Sequence, residues 1–121
     1  MPSQIFSPRD KVLANADRAV EFIRTGNTPP VLVEVDPSNA CNHACSFCLS
    51  SYIHFDKYKG TETFSRAQMQ RDILMNLCKD FVDMGVRAIN WTGGGEPTVN
   101  KHLKEAIEYC GSNGLQMGMF T

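Results

Sequence analysis

The sequence predicts an α/β protein with a parallel sheet. Its segments read helix, strand, helix, strand, helix, strand, and the strands are short and almost continuously apolar. Alternating elements of this kind bury their strands beneath right-handed crossovers. Placement adds a further observation. Two unusual loops, "CNHACSFC" and "TGGGEPT", each follow the C-terminal end of a strand. That is the end at which α/β sheets and barrels bind ligands. The two loops are therefore expected side by side on one rim.

Taken in order, "SPRDKVLANADRAVEFIRTGN" is expected to form one leading helix. Ser7 suits its cap, and Pro8 suits the first turn, where a missing N–H costs nothing. Val12, Leu13, Ala16, Ala19, Val20 and Ile23 recur at helical spacing, Gly26 and Asn27 end the helix, and Pro29 and Pro30 bar its resumption. Residues 1–30 thus read as a helix and linker ahead of a core at 31–121. "VLVEVD" is the first strand. The loop after it runs for roughly 25 residues with neither period, and loops of that length are commonly functional. "SRAQMQRDILMNLCKDFVDMG" is the second helix. Ser65 and Gln68 fit a capping box, Leu74, Leu77, Cys78, Phe81 and Val82 form the buried stripe, and Gly85 is the stop. "VRAINW" is the second strand and "TGGGEPTVN" a glycine-rich turn. "KHLKEAIEYC" is the third helix, with Leu103, Ala106, Ile107 and Cys110 on one face, and "LQMGMFT" is the third strand.

Composition narrows the function classes. The 121 residues suit one domain, with 42% hydrophobic and 21% charged residues as in ordinary globular proteins. A net charge of −1 gives no basic field for nucleic acid or an anionic membrane. No apolar run approaches the roughly 18 residues of a transmembrane helix. The start "MPSQIFSPRD" lacks the basic-then-apolar pattern of a secretory signal, so a cytoplasmic protein is expected. Five cysteines is an odd number. In a reducing compartment, clustered cysteines are more often metal ligands or redox groups than disulfides.

Cys41, Cys45 and Cys48 are close enough in sequence to wrap one metal centre. A structural zinc site wants four converging ligands, usually from two separated pairs. His43 could complete that set only by folding back into a very short arc. An electron-transfer cluster wants a fourth cysteine. Cys78 and Cys110 are the candidates, but both fall on apolar helix faces, where free cysteine behaves as a small hydrophobe. A CxxC redox pair at 45–48 has Cys41 crowded beside it. The remaining option is a four-iron cluster held by three thiolates, with the open position that a catalytic metal keeps. The "GGGEPT" turn alone reads as a plain strand-to-helix connection, with Glu96 favouring a helix start. It lacks both GxGxxG and a Gly-Lys-Ser/Thr ending.

Together these residues carry a resemblance. "CNHACSFC", with Phe47 before the third cysteine, resembles the CxxxCxxC motif of the radical S-adenosylmethionine (radical SAM) superfamily. "GGEP" at 94–97 resembles its glycine-rich glutamate motif, and the terminal "MFT" the start of its Thr-Asn-Gly stretch. The flavour is nearest the branch of the molybdopterin-precursor cyclase and the peptide-maturing enzymes. The resemblance implies a partial (β/α)6 barrel of TIM type, of which residues 31–121 are the N-terminal half, truncated after the third strand. It implies that Cys41, Cys45 and Cys48 hold a [4Fe-4S] cluster and that its open iron chelates S-adenosylmethionine. It implies reductive cleavage to a 5′-deoxyadenosyl radical that abstracts hydrogen from an unidentified substrate. Phe47 would then pack near the adenine. Gly93, Gly94, Gly95 and Glu96 would meet the methionine end, and Pro97 would fix the turn into the next helix. An electron donor of flavodoxin or ferredoxin type is implied too.

Departures from the family pattern lie at the end of the chain. Three strands leave an apolar edge that needs cover. A longer protein is expected to supply it, with a second chain of a split enzyme as the competing explanation. Readings without S-adenosylmethionine chemistry are a zinc-stabilised interaction module and a ferredoxin-like electron carrier. Asn39 and Asn42 are candidates to brace the cysteine loop. His54, with Tyr52, Phe55 and Tyr58, is a candidate to cover it. His102 reads as solvent-facing, and Met117 and Met119 as packing.

Overall fold

The structure, a computed structural model, describes residues 8–48 and 67–121. The chain divides into two compact units, Met1–Val31 and Leu32–Thr121. In the first unit, two helices stand where one was expected: α1, Pro8–Ala14, and α2, Ala16–Thr25. Asn15 makes the break. Its backbone leaves the helical region (φ −123, ψ 23), and its side-chain amide donates to the Lys11 carbonyl at 2.9 Å. An asparagine that bonds the local backbone competes with the helix it sits in. The Asn15 carbonyl then accepts from the Arg18 amide at 3.1 Å and opens α2. Gly26 ends α2 in the left-handed conformation (φ 72), as its position suggested. Val12, Leu13, Val20 and Ile23 are all exposed. Ser7 lies outside the described residues.

The second unit contains β1 (Leu32–Val35), α3 (Arg71–Met84), β2 (Ala88–Trp91), a 3-10 turn (Pro97–Val99), α4 (Leu103–Ser112) and β3 (Gln116–Met119). The strands lie in chain order β1-β2-β3, all parallel, with Val35 opposite Trp91 and Trp91 opposite Met119. This is the predicted α/β fold with a parallel sheet. The second helix, however, begins at Arg71 and not at Ser65. Tertiary hydrogen bonds hold the preceding residues extended: Asn39 donates to Ala67 O (2.8 Å) and Met69 to Pro37 O (2.9 Å). Gln68 pairs antiparallel with Ser38 and so caps nothing. Ser65 lies outside the described residues. At the other end, Gly85 takes φ 77, and the Gly85 and Val86 amides satisfy the last carbonyls of α3.

One face of the sheet makes the core. Val35, Ile89 and Trp91 cluster with Leu74, Met75 and Cys78 of α3 and with Leu103, Ala106 and Cys110 of α4. Met75 joins this core although the predicted stripe omitted it, while Leu77, Phe81 and Val82 are half-buried. Met119 packs against the core and Met117 is exposed. In register on the opposite face are Glu34, Asn90 and Gly118, with Asn90 Nδ2 donating to Glu34 Oε1 at 3.3 Å. Arg71 at the head of α3 forms a two-pronged ion pair with Glu105 of α4. Leu74 has 0% exposure at the centre of this packing. Leu74→Ala is expected to lower the unfolding free energy by about 3 kcal/mol in denaturant titration, the transfer term plus the cavity left behind.

Candidate functional site

The two loops expected on one rim are laced together by their backbones. Beyond the strand ends, Thr92 donates to Val35 O (2.9 Å), Gly95 to Ser38 O (3.1 Å) and Glu96 to Ala40 O (2.9 Å). These bonds continue the β1–β2 pairing into the base of the cysteine loop. The approach is so close that a side chain at position 95 has no room. A Cβ on Gly95 would lie 2.2 Å from Ala40 O and 2.6 Å from Asn39 C. Gly93 is also tight, with a Cβ there 3.0 Å from Ser38 O. Gly94, between them, is half-buried.

The base of the cysteine loop is rigidly seated. Ser38, 1% exposed, accepts from the Ala40 amide at 3.0 Å. Asn100, 2% exposed, donates to Pro37 O (2.8 Å) and Met69 O (3.0 Å), joining the outgoing and returning limbs of the loop. Its Oδ1 accepts from the amide of His102, which is half-buried and not solvent-facing as read. The bracing therefore comes from Ser38 and Asn100, while Asn39 gives only its backbone amide. Sequence reasoning missed Asn100. Its only local signal is an asparagine between a turn and a helix start.

Farther along the loop, Cys41 and Cys48 are half-buried and Cys45 is exposed, all as free thiols. The Cys48 amide donates to Cys45 O at 3.2 Å, and the His43 amide approaches Cys41 Sγ at 3.4 Å. Among the described residues, no three His, Cys, Asp or Glu side chains stand close enough to share one metal ion. A zinc ion draws its ligands to one point. A four-iron cluster takes each thiolate on a different iron, and Cys41, Cys45 and Cys48 supply three free thiols as such a group requires. Phe47, beside Cys48, is 85% exposed. Cys78 and Cys110 are wholly buried. Burial pushes the Cys78 thiol up to about 12, helped by a hydrogen bond with Cys110, and burial raises Cys110 as well. Packed with Leu74, Met75, Leu103 and Ala106 between α3, α4 and the sheet, these two are core residues. Tyr52, His54, Phe55 and Tyr58 lie outside the described residues.

Glu96 is the charged centre of the rim and is only 4% exposed. Its Oε1 accepts from the Thr98 amide (3.1 Å), the Thr98 hydroxyl (2.5 Å) and the Thr121 hydroxyl (2.9 Å). Its Oε2 faces His43 Nε2 at 4.0 Å. Burial alone would raise its pKa. The Thr98 and Thr121 hydrogen bonds and the His43 imidazole together outweigh burial and hold the carboxyl below the ordinary glutamate value. Glu96 also caps the turn Pro97–Val99, with Pro97 buried at its first position. The Thr98 contact follows from i,i+2 spacing. The Thr121 contact depends on the sheet order.

A parallel sheet with a three-cysteine loop and a glycine–glutamate loop laced on its C-terminal rim defines the class: an α/β core of the partial-barrel kind. Residues 35–121 match the Radical SAM superfamily, and the chain belongs to that superfamily. Mycofactocin maturase MftC of Mycolicibacterium smegmatis is 33% identical over 97 residues, covering 77% of this chain and 21% of the maturase. GTP 3',8-cyclase of Brucella ovis is 27% identical over 103 residues, covering 85% of this chain and 25% of the cyclase. The chain thus spans a quarter or less of the length of these relatives. Among the described residues, no helix is long and apolar enough to cross a membrane.

Two outcomes test this geometry. Gly95→Ala is expected to push the Ala40 carbonyl away and to lower stability by about 1–3 kcal/mol in thermal or denaturant unfolding, as overpacking does. Glu96 has a lowered folded pKa, so its stabilisation is complete above the unfolded value and fades as pH falls through the folded one. The stability gap between the parent and Glu96→Gln is therefore expected to be largest near neutral pH. It should close as pH drops from about 4.3, the ordinary glutamate value.

Proposed function

We propose that this chain is the cofactor-binding portion of a radical SAM enzyme, with Cys41, Cys45 and Cys48 as the ligands of a [4Fe-4S] cluster. The observation that carries the reading is the lacing of the cysteine loop to the loop of Gly95 and Glu96. When bound, the cluster and S-adenosylmethionine supply one-electron cleavage of the sulfonium, giving a 5′-deoxyadenosyl radical for hydrogen abstraction. The chain's own part is to bind and orient. Three thiolates leave one coordination position without a protein ligand. Gly93 and Gly95 seat the turn against the Ser38 and Ala40 carbonyls, Gly94 between them lets the cofactor approach the backbone, and ionised Glu96 is the partner for its ammonium group. Phe47 is free to cover the adenine, and Pro97 holds the turn that presents Glu96. Free thiols and single-electron chemistry suit the cytoplasm and a flavodoxin- or ferredoxin-type electron donor. The two relatives, a maturase and a GTP cyclase, differ in what they act on. The proposal therefore covers the cofactor step and assigns no substrate.

Anaerobic reconstitution with iron and sulfide is expected to give about four irons per chain. Single replacement of Cys41, Cys45 or Cys48 by alanine should abolish the cluster's absorbance and iron content, while Cys78→Ala and Cys110→Ala should retain both. Colourless protein carrying one zinc, or a cluster that needs Cys78 or Cys110, would overturn the reading.

A further inference from the structure

Glu96 divides its carboxylate between the protein and the site. Oε1 receives three donors: the Thr98 amide, the Thr98 hydroxyl and the Thr121 hydroxyl. With about two lone-pair directions per carboxylate oxygen, Oε1 has no capacity left. Oε2 receives no hydrogen bond among the described residues. Its nearest polar neighbour across the cysteine loop is His43 Nε2 at 4.0 Å, on a half-exposed side chain between Cys41 and Cys45. Glu96 as a residue is 4% exposed, yet Oε2 is not among the side-chain atoms shut off from solvent, so this oxygen stays open to an incoming donor. Oε2 keeps its acceptor capacity, whereas Oε1 has committed its own to the protein. An incoming cationic donor on the cysteine-loop side would satisfy Oε2.

We propose that Thr98 and Thr121 form a latch on Oε1 that holds Oε2 toward the cysteine loop, where it receives the ammonium of the amino-acid end of the cofactor. Both threonines are positioning residues, acting through Glu96. The latch presupposes Glu96 as the ammonium partner in the function proposed above. Its less local half is Thr121, which follows β3 and lies 25 residues from Glu96. Through it, the third strand sets the aim of a side chain on the loop after the second. Thr98 alone would leave the carboxylate hinged on a two-residue turn. A donor from a second element fixes the rotation of the carboxylate plane, so one oxygen stays committed and the other stays presented.

The test uses the full chain, reconstituted anaerobically, with S-adenosylmethionine titrated against the electron paramagnetic resonance spectrum of the reduced cluster. Thr121→Val keeps the branched shape and removes the hydroxyl. It is expected to retain the parent's iron content yet require about tenfold more S-adenosylmethionine, the effect of one hydrogen bond to a charged group. Thr121→Ser should restore the parent titration, and Thr98→Val should shift it in the same direction as Thr121→Val. Glu96→Gln should weaken binding at least as much as either. If Thr121→Val titrates like the parent while Glu96→Gln is impaired, the latch is wrong and the role of Glu96 stands. If Glu96→Gln also titrates like the parent, the ammonium assignment falls and the latch falls with it. Loss of cluster iron in Thr121→Val, or failure of Thr121→Ser to rescue, would make Thr121 a structural residue only. A readout free of cofactor comes from the Glu96 carboxyl carbon resonance in the cluster-free chain. It should move in Thr121→Val and stay in Thr121→Ser, and an unmoved resonance in the valine variant overturns the hydrogen bond itself.

Discussion

Three backbone hydrogen bonds past the ends of β1 and β2 hold the rest of the site in place. The bonds from Thr92, Gly95 and Glu96 to Val35, Ser38 and Ala40 carry strand pairing into two loops that have no regular structure of their own. Each contributes only about 1 kcal/mol net. Their effect is large because the carbonyls they bind belong to a base that is already fixed. Ser38 is buried, and Asn100 ties Pro37 to Met69 across the two limbs of the cysteine loop. Absence of a side chain at Gly95 is the sequence requirement for this contact, since any Cβ would occupy the space of the Ala40 carbonyl.

The sheet divides its two faces by chemistry. Val35, Ile89 and Trp91 sink into the packing of α3 and α4, whereas Glu34 and Asn90 share the face without those helices and bond each other. This corrects the view of the strands as almost continuously apolar. "LVEV" and "AINW" alternate, and their polar positions are in register. In barrels, side chains from neighbouring strands stack in layers on the inner face. The Glu34–Asn90 pair is a polar rung of this kind, one residue before the strand ends from which the laced loops depart.

What the sequence made legible follows from the range of each interaction. Period and composition report neighbours along the chain, so the order of elements, the helix stop at Gly85 and the placement of both loops on one rim were readable. Interactions between distant residues were not. Residues 67–69 continue the pattern of α3, yet their amides and carbonyls serve Pro37 and Asn39, some thirty residues away, and the helix starts late. Asn100 and Thr121 look like ordinary turn and strand-end residues until the sheet order brings them to Pro37 and Glu96. The break at Asn15 is the opposite case. It is entirely local, and the apolar spacing on both sides concealed it. Cys78 and Cys110 were legible as core residues because both sit on apolar helix faces, and the structure buries them fully, which raises both thiol pKa values.

The site sets a rigid charged half against an accessible thiol half. Cys45 is exposed and Cys41 and Cys48 are half-buried, on a loop whose base is held by Ser38 and Asn100. Glu96 is the reverse: buried, hydrogen-bonded from two elements and held ionised. Donors in place before a ligand arrives need no reorganisation when it binds. The lowered pKa of Glu96 carries this further. A carboxylate already charged at neutral pH takes up an ammonium ion without first releasing a proton, so the favourable pairing is not offset by deprotonation. Thr98 and Thr121 thereby do with neutral hydroxyls what a lysine or arginine beside Glu96 could not. They stabilise its charge without neutralising it, and so leave that charge available to a cationic ligand.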